Sequence, residues 1–203
     1  MQYDRAKLKT VILYACLKCG PAQLGAVKLH KVLYFTDMIY YANTGVPVTG
    51  ATYRKSTFGP TCDQLLVTLS RMAREKALEV REVDYFGYRK KEYTALESPE
   101  IERLNETEIT LLDEVIEFVC FNNTAKTISE FSHNRAWELA RHGDILKYNS
   151  VFQIYPTEVS PETMDWATAE IKAIEEQRSS GEAVASIPFA SLRKKVLEDL
   201  RNK

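Results

Sequence analysis

Long apolar runs are missing from this sequence, and so is any excess of one charge. No stretch approaches the roughly 20 apolar residues that a membrane-spanning helix requires. The opening residues, MQYDRAKLKT, carry neither an apolar segment behind a basic start nor a small-residue cleavage site, so the expectation is a soluble, cytoplasmic protein. Lys and Arg number 27 against 28 Asp and Glu, which withholds the basic footprint expected when nucleic acid is the main partner. Cysteine is scarce: Cys16, Cys19, Cys62 and Cys120 are too few and too scattered for a secreted disulfide framework and agree with a reducing compartment. Also absent are a Gly-rich phosphate loop, a nucleophile elbow and a metalloprotease helix. At 203 residues the chain is nevertheless long enough for one domain of ordinary size plus an appendage, without disulfide or metal staples.

What is present is mostly helical periodicity. Leu8, Val11, Ile12, Ala15, Cys16 and Cys19 share one helix face, predicting a first helix over 4–19 that Gly20-Pro21 ends. From Leu24 to Asn43 apolar side chains fall on nearly every face, with Lys28, Lys31 and Asp37 as a narrow polar strip; a helix of that kind is buried and central. After a turn at Thr44-Gly45-Val46-Pro47, an extended piece reaches Phe58. A helix is then predicted from Pro60 or Thr61 through Leu65, Leu69, Met72 and Ala73. Leu78, Val80 and the Tyr-rich flanks of Gly87 predict a short β-hairpin. A helix starting near Asn105 or Thr107 presents Ile109, Leu112, Ile116 and Val119 on one face, and two short helical pieces follow at 124–131 and 134–142. Residues 144–160 read as loop, Ser160-Pro161 starts a helix to Arg178, and the linker-like SSGEAVAS precedes a last amphipathic helix over 187–202. The fold class is therefore mainly α: a compact helical domain around a central buried helix with one small β-hairpin, residues 1–148, and a helical C-terminal extension, 149–203.

Catalytic and metal chemistry finds little support. Cys16 and Cys19 have the spacing of a redox pair or half a zinc site, yet both fall on the apolar face and no second pair complements them, so they read as small buried hydrophobes. His30, His133 and His142 show no ligand spacing, and nothing local marks Cys62 as a low-pKa thiolate for His133 to activate. The expectation is a protein that is not an enzyme and holds no metal or cofactor. DNA binding stands as an alternative: residues 60–96 run helix then hairpin as a winged helix does, with Arg71, Arg74, Lys76 and YRKKEY as basic elements, and 124–142 has helix-turn-helix proportions. Glu75, Glu79, Glu82 and Asp84 interrupt that basic character.

Four blocks, taken in order, carry a resemblance: Lys28-Leu-His30-Lys31-Val-Leu-Tyr34-Phe35, then Thr44-Gly45-Val46-Pro47, then Phe58-Gly59-Pro60, and downstream Ser132-His133 with Ala136-Trp137. Together they resemble the Panacea domain family of SocA-like antitoxins over roughly residues 5–145. His30 stands where that family often has Gln, Phe58 where Tyr is common, Val46 in place of Lys or Arg, and Ala136 where Pro is frequent. The resemblance implies a mostly helical antitoxin of a bacterial or phage-borne toxin–antitoxin pair. Its partner is then a cognate toxin, neutralised by direct binding or by delivery to a protease, with a chaperone as a further partner. Candidate toxin-binding or motif residues are Lys28, Lys31, Tyr34, Phe58, Gly59, Pro60, His133 and Trp137. In the C-terminal extension Phe189, Leu192 and Val196 form a narrow stripe suited to a partner groove.

Overall fold

The structure, a computed structural model, describes residues 2–85, 87–153, 169 and 172; apart from those last two residues, the helices expected at 161–178 and 187–202, with Phe189, Leu192 and Val196, lie outside the described residues. Helix α1, Arg5–Gln23, begins where the Asp4 side chain accepts the Lys7 N–H at 2.9 Å, satisfying one of the donors every helix start leaves unpaired. The regular helix breaks at Gly20, as expected, and one further turn closes through Leu24 N–H to the Gly20 carbonyl. Helix α2, Ala26–Thr44, ends at Gly45, whose φ of 79° lets its N–H reach back to the Tyr41 carbonyl at 2.8 Å. Every residue from 31 to 40 is buried, which makes α2 the central helix. One expectation needs correction: Lys28, Lys31 and Asp37, read as a polar strip, are buried with the rest.

Two strands follow where the sequence pointed to an extended piece and then a helix. β1, Tyr53–Ser56, and β2, Gly59–Cys62, pair antiparallel with Ser56 opposite Gly59. Pro60 has no N–H to give a ladder and is accommodated because β2 is an edge strand. Helix α3, Leu65–Arg74, consequently starts four or five residues later than expected, burying Leu65, Leu69 and Met72. The hairpin around Gly87 is found as β3, Leu78–Tyr85, and β4, Tyr88–Ala95. Tyr93 of β4 is buried in the core, and β4 lies along α1.

Helix α4, Glu106–Ile116, opens with a capping box in which Asn105 and Glu108 each bond the other's backbone N–H. It runs into a π-helical turn, Glu117–Phe121. The short helices α5, Ala125–Phe131, and α6, Arg135–Leu139, complete the helical shell. Residues 144–153, expected as loop, contain strand β5, Ile145–Leu146, and a 3-10 turn, Tyr148–Gln153; β5 pairs with β1 to give the strand order β2-β1-β5. The result is mainly α with two small sheets. α1, α4, α5, β2 and the last 3-10 turn all pack on α2.

Enclosure of α2 is met by internal partners at Lys28, Lys31 and Asp37, whereas Thr36 Oγ1 and Asn43 Oδ1 are buried without a hydrogen-bond partner among the described residues. Asp37 accepts the Thr49 N–H at 2.6 Å and lies 2.5 Å from the Thr49 hydroxyl, 2.7 Å from that of Tyr53 and 3.2 Å from that of Tyr148. The two tyrosine hydroxyls also face the carbonyls of Leu33 and Ala51, at 2.8 and 2.6 Å. Burial raises the Asp37 pKa, and these hydrogen bonds oppose the rise.

Candidate functional site

Three of the four sequence blocks converge beneath the β1–β2 turn. Lys31, only 1% exposed, donates from Nζ to the Pro60 carbonyl at 3.0 Å. Among the described residues its hydrogen-bond partner is this backbone carbonyl and not a carboxylate, and burial pulls its pKa down to about 7. Gly59 sits directly over this ammonium with φ +87°. A Cβ there would come within 2.5 Å of Lys31 Nζ and 2.2 Å of Ser132 Oγ, so a glycine is needed both for the backbone angle and for the space. Ser132 is fully buried and donates to the Ser129 carbonyl at 2.6 Å, closing α5 under the turn.

The other side of the turn rests on α6. Asn134 caps α6 by accepting the Trp137 N–H and donates from Nδ2 to the buried Tyr34 hydroxyl at 3.3 Å, tying α6 to α2. Trp137 donates from Nε1 to the Ser56 carbonyl at 3.2 Å, and its ring stacks on His133 with centroids 3.7 Å apart and planes 7° apart. Lys55 Nζ lies 3.9 Å from the Trp137 ring and donates to the Ala140 carbonyl at 3.0 Å. Burial, then the charges of Lys31 and Lys55, hold the His133 pKa below its ordinary value, and its Nε2 is buried without a hydrogen-bond partner among the described residues. The product of all this bracing is the position of Phe58, which is 65% exposed at the tip of the turn.

The family model described as "Antitoxin SocA-like, Panacea domain" matches residues 29–138, more than half of the 203-residue chain. The chain belongs to the SocA-like Panacea family. Comparison with curated proteins and with solved structures gave no match. The Panacea match covers Lys31, Tyr34, Phe58, Gly59, Pro60, His133 and Trp137, which are the residues the fold brings together. Lys28 lies one position outside it and elsewhere in space, donating to the Cys120 carbonyl at 2.7 Å. Of the candidate contact residues among those described, Tyr34, Lys28, Lys31, Gly59 and Pro60 are buried, His133 and Trp137 are half-buried, and Phe58 alone is well exposed.

One departure from the Panacea pattern, His30, has a local account. His30 accepts the Cys62 N–H on Nδ1 at 3.0 Å, a role the side-chain carbonyl of the more usual Gln can also fill. Burial and the neighbouring Lys31 hold the His30 pKa near 4, so the imidazole stays neutral and able to accept. Cys62 is buried and its thiol is pushed up to about 12, the opposite of what a thiolate nucleophile needs. No group of three or more His, Cys, Asp or Glu among the described residues is arranged to hold a metal ion. In the hairpin, Arg81, Arg89 and Lys90 pair with Glu79, Glu82 and Glu92, so its basic residues alternate with acids in space as well as in sequence. No helix among the described residues is long and apolar enough to cross a membrane. Sequence reasoning missed Lys55, Ser56 and Asn134, the supports of Trp137. Their signal is weak, since a lysine over an indole and a strand carbonyl under it leave no pattern in one sequence.

Proposed function

We propose that this protein neutralises a cognate toxin by direct protein–protein binding, and that the toxin docks on the surface presented by Phe58 with His133 and Trp137 behind it. The observation that carries the reading is an exposed aromatic ring on a turn held from below by Lys31, Gly59 and Ser132 and from the side by Trp137. Aromatic anchors on pre-ordered supports concentrate binding energy, because little side-chain and loop freedom remains to be lost on association. A shallow groove of about 360 Å³ beside α6, lined by Ala136, Leu139, Ile145, Asp144, Lys147 and Asn149, adds a mixed polar and apolar surface next to this corner. The mixed-sign hairpin favours a protein partner over nucleic acid. The C-terminal stripe of Phe189, Leu192 and Val196 is proposed as a second contact.

The test is co-expression with the neighbouring open reading frame, scored for growth rescue and co-purification. Phe58→Ala is expected to leave stability within about 0.5 kcal/mol of wild type, because the ring is exposed. It should weaken the complex by about 2 kcal/mol or more, roughly 30-fold. Rescue without a detectable complex sinks direct inhibition, and rescue that disappears when a cellular protease is deleted assigns the delivery route instead. Undiminished affinity of the Phe58→Ala protein removes the toxin from this face.

A further inference from the structure

Helix α3 presents an outer face that mixes aliphatic side chains with unpaired arginines. It turns Leu65, Leu69 and Met72 into the core and leaves Leu66 and Val67 63% and 65% exposed. Beside Val67 lies an open groove of about 280 Å³ whose walls include Tyr3, Arg5 and Arg71. Asp63 also lines this groove, but its carboxylate is held by Arg54 at 2.7 Å. Arg71 and Arg74, in the last turn of α3, have no acidic partner among the described residues.

A face of opposite charge runs along α4 and the π turn after it. Glu106, Thr110, Glu114 and Glu117 are exposed at three- and four-residue spacing, which sets them on one side of the helix. Phe121, 54% exposed, continues that side at the end of the π turn. Two other acids of α4 are matched inside the chain, Glu108 by Lys7 at 2.6 Å and Asp113 by Lys18 at 3.1 Å. Glu114 and Glu117 have no basic partner among the described residues. They stand toward the negative end of the helix dipole, and α4 has no basic residue in its last turn to offset them. Cations from outside would stabilise this end.

The two faces also match in spacing. Val67, Arg71 and Arg74 follow one another at four and then three residues, and so, in the reverse chain direction, do Phe121, Glu117 and Glu114. Laid antiparallel, the apolar pair Val67 and Phe121 meets at one end. Glu117 then falls opposite Arg71 and Glu114 opposite Arg74, roughly 6 and 10 Å further along the helix axes. The Phe121 ring enters at the groove beside Val67. We propose that the α3 face of one copy of this chain docks the α4 face of a second copy in this register. The contact is heterologous, since different surfaces of the two copies meet. A single short helix pair held by exposed ion pairs makes a weak, salt-sensitive association, not an obligate interface. The proposal does not depend on which partner the Phe58 surface takes.

The experiment is sedimentation of the full-length protein from about 10 µM to about 1 mM, in about 50 and about 500 mM salt. The expected result is a mass that rises with concentration at low salt, half-association falling on the order of 0.1–1 mM, and a monomer at high salt. Arg71→Glu/Arg74→Glu and Glu114→Arg/Glu117→Arg should each weaken self-association by about tenfold or more. An equimolar mixture of the two should associate, because each then supplies the charge the other's face requires. Arg81→Glu/Arg89→Glu, in the β3–β4 hairpin, makes the same change in net charge as the first variant and should leave self-association as in wild type. Arg71 is half-buried; should its variant fail to fold, Glu114→Arg/Glu117→Arg and Phe121→Ala, both at exposed positions, decide by the same loss. A monomer at every concentration assigns these faces to some other partner and overturns the proposal. So does an association that survives the α4 reversal, or one lost equally in the hairpin variant.

Discussion

Lys31 and Gly59 are one unit: the ammonium occupies the space a side chain at 59 would take, and the turn above it supplies the carbonyl the ammonium needs. Gly59→Ala therefore meets a left-handed backbone angle and two close contacts at once, with an expected cost of about 2–4 kcal/mol in urea unfolding. Gly45→Ala is the control, since its φ is also positive but a Cβ there meets nothing within 4 Å; the backbone alone should cost about 1 kcal/mol. Equal losses at the two positions refute the close-contact account. Lys31 also makes stability depend on pH. Its folded pKa of about 7 lies below the ordinary 10.5, so between those values the unfolded chain binds more protons and stability rises with pH. The slope approaches about 1.4 kcal/mol per unit for one proton. Below the folded value the penalty of burying the charge is fully present. Relative to Lys31→Met, wild type is expected to gain about 2 kcal/mol from about pH 7 to about pH 9, read from denaturation midpoints. Because the tyrosines and cysteines titrate in both proteins, a constant difference across that range shows that Lys31 keeps its ordinary pKa.

At the scale of elements, α4 shows how closely a local signal can specify a boundary. Asn105 accepts the Glu108 N–H at 2.8 Å and also donates to the Tyr40 hydroxyl at 3.1 Å, so one side chain starts α4 and joins it to α2. Asn105→Ala should cost about 1–2 kcal/mol, and Asn105→Asp, which keeps the cap but not the donor, about half of that; equal costs show that the Tyr40 bond contributes nothing. The start of α4, the break at Gly20, the end of α2 at Gly45 and the β3–β4 hairpin were legible because each rests on a residue type with one strong backbone preference. The first hairpin was not. Phe58-Gly59-Pro60 signals an extended segment, but its pairing with Tyr53–Ser56 is set by contacts with Lys31 and Ser132 that lie outside any local window. β5 failed to register for a related reason, being two residues whose strand character comes from pairing with β1. For the candidate site, three of the four motif blocks come together while Lys28 lies apart, and burial separates Phe58 from the residues that support it.

At the scale of the whole molecule, the chain beyond 153 is where a second partner contact is proposed. Truncation after Ser180 removes the stripe of Phe189, Leu192 and Val196. We expect the melting temperature of the free protein to stay within about 2 °C while affinity for the toxin falls about tenfold or more; an unfolded truncation product, or one with full affinity and rescue, shows the stripe to be misassigned. The remainder is tied together through Asp37, which links α2 to residue 49, to β1 and to the last 3-10 turn. Its Oδ2 faces three hydroxyls, and two of these also face carbonyls. Three hydroxyl hydrogens cannot fill both carbonyl contacts and all three contacts to the carboxyl group, because each hydrogen serves one acceptor in a strong linear bond. A fourth hydrogen, carried by Asp37 itself, eases the shortage, in the same direction as the raised pKa. Six positions earlier on the same helix, burial lowers the Lys31 pKa to about 7. On the central helix, burial thus favours the neutral form of both groups, raising the pKa of Asp37 and lowering that of Lys31, with no ion pair between them.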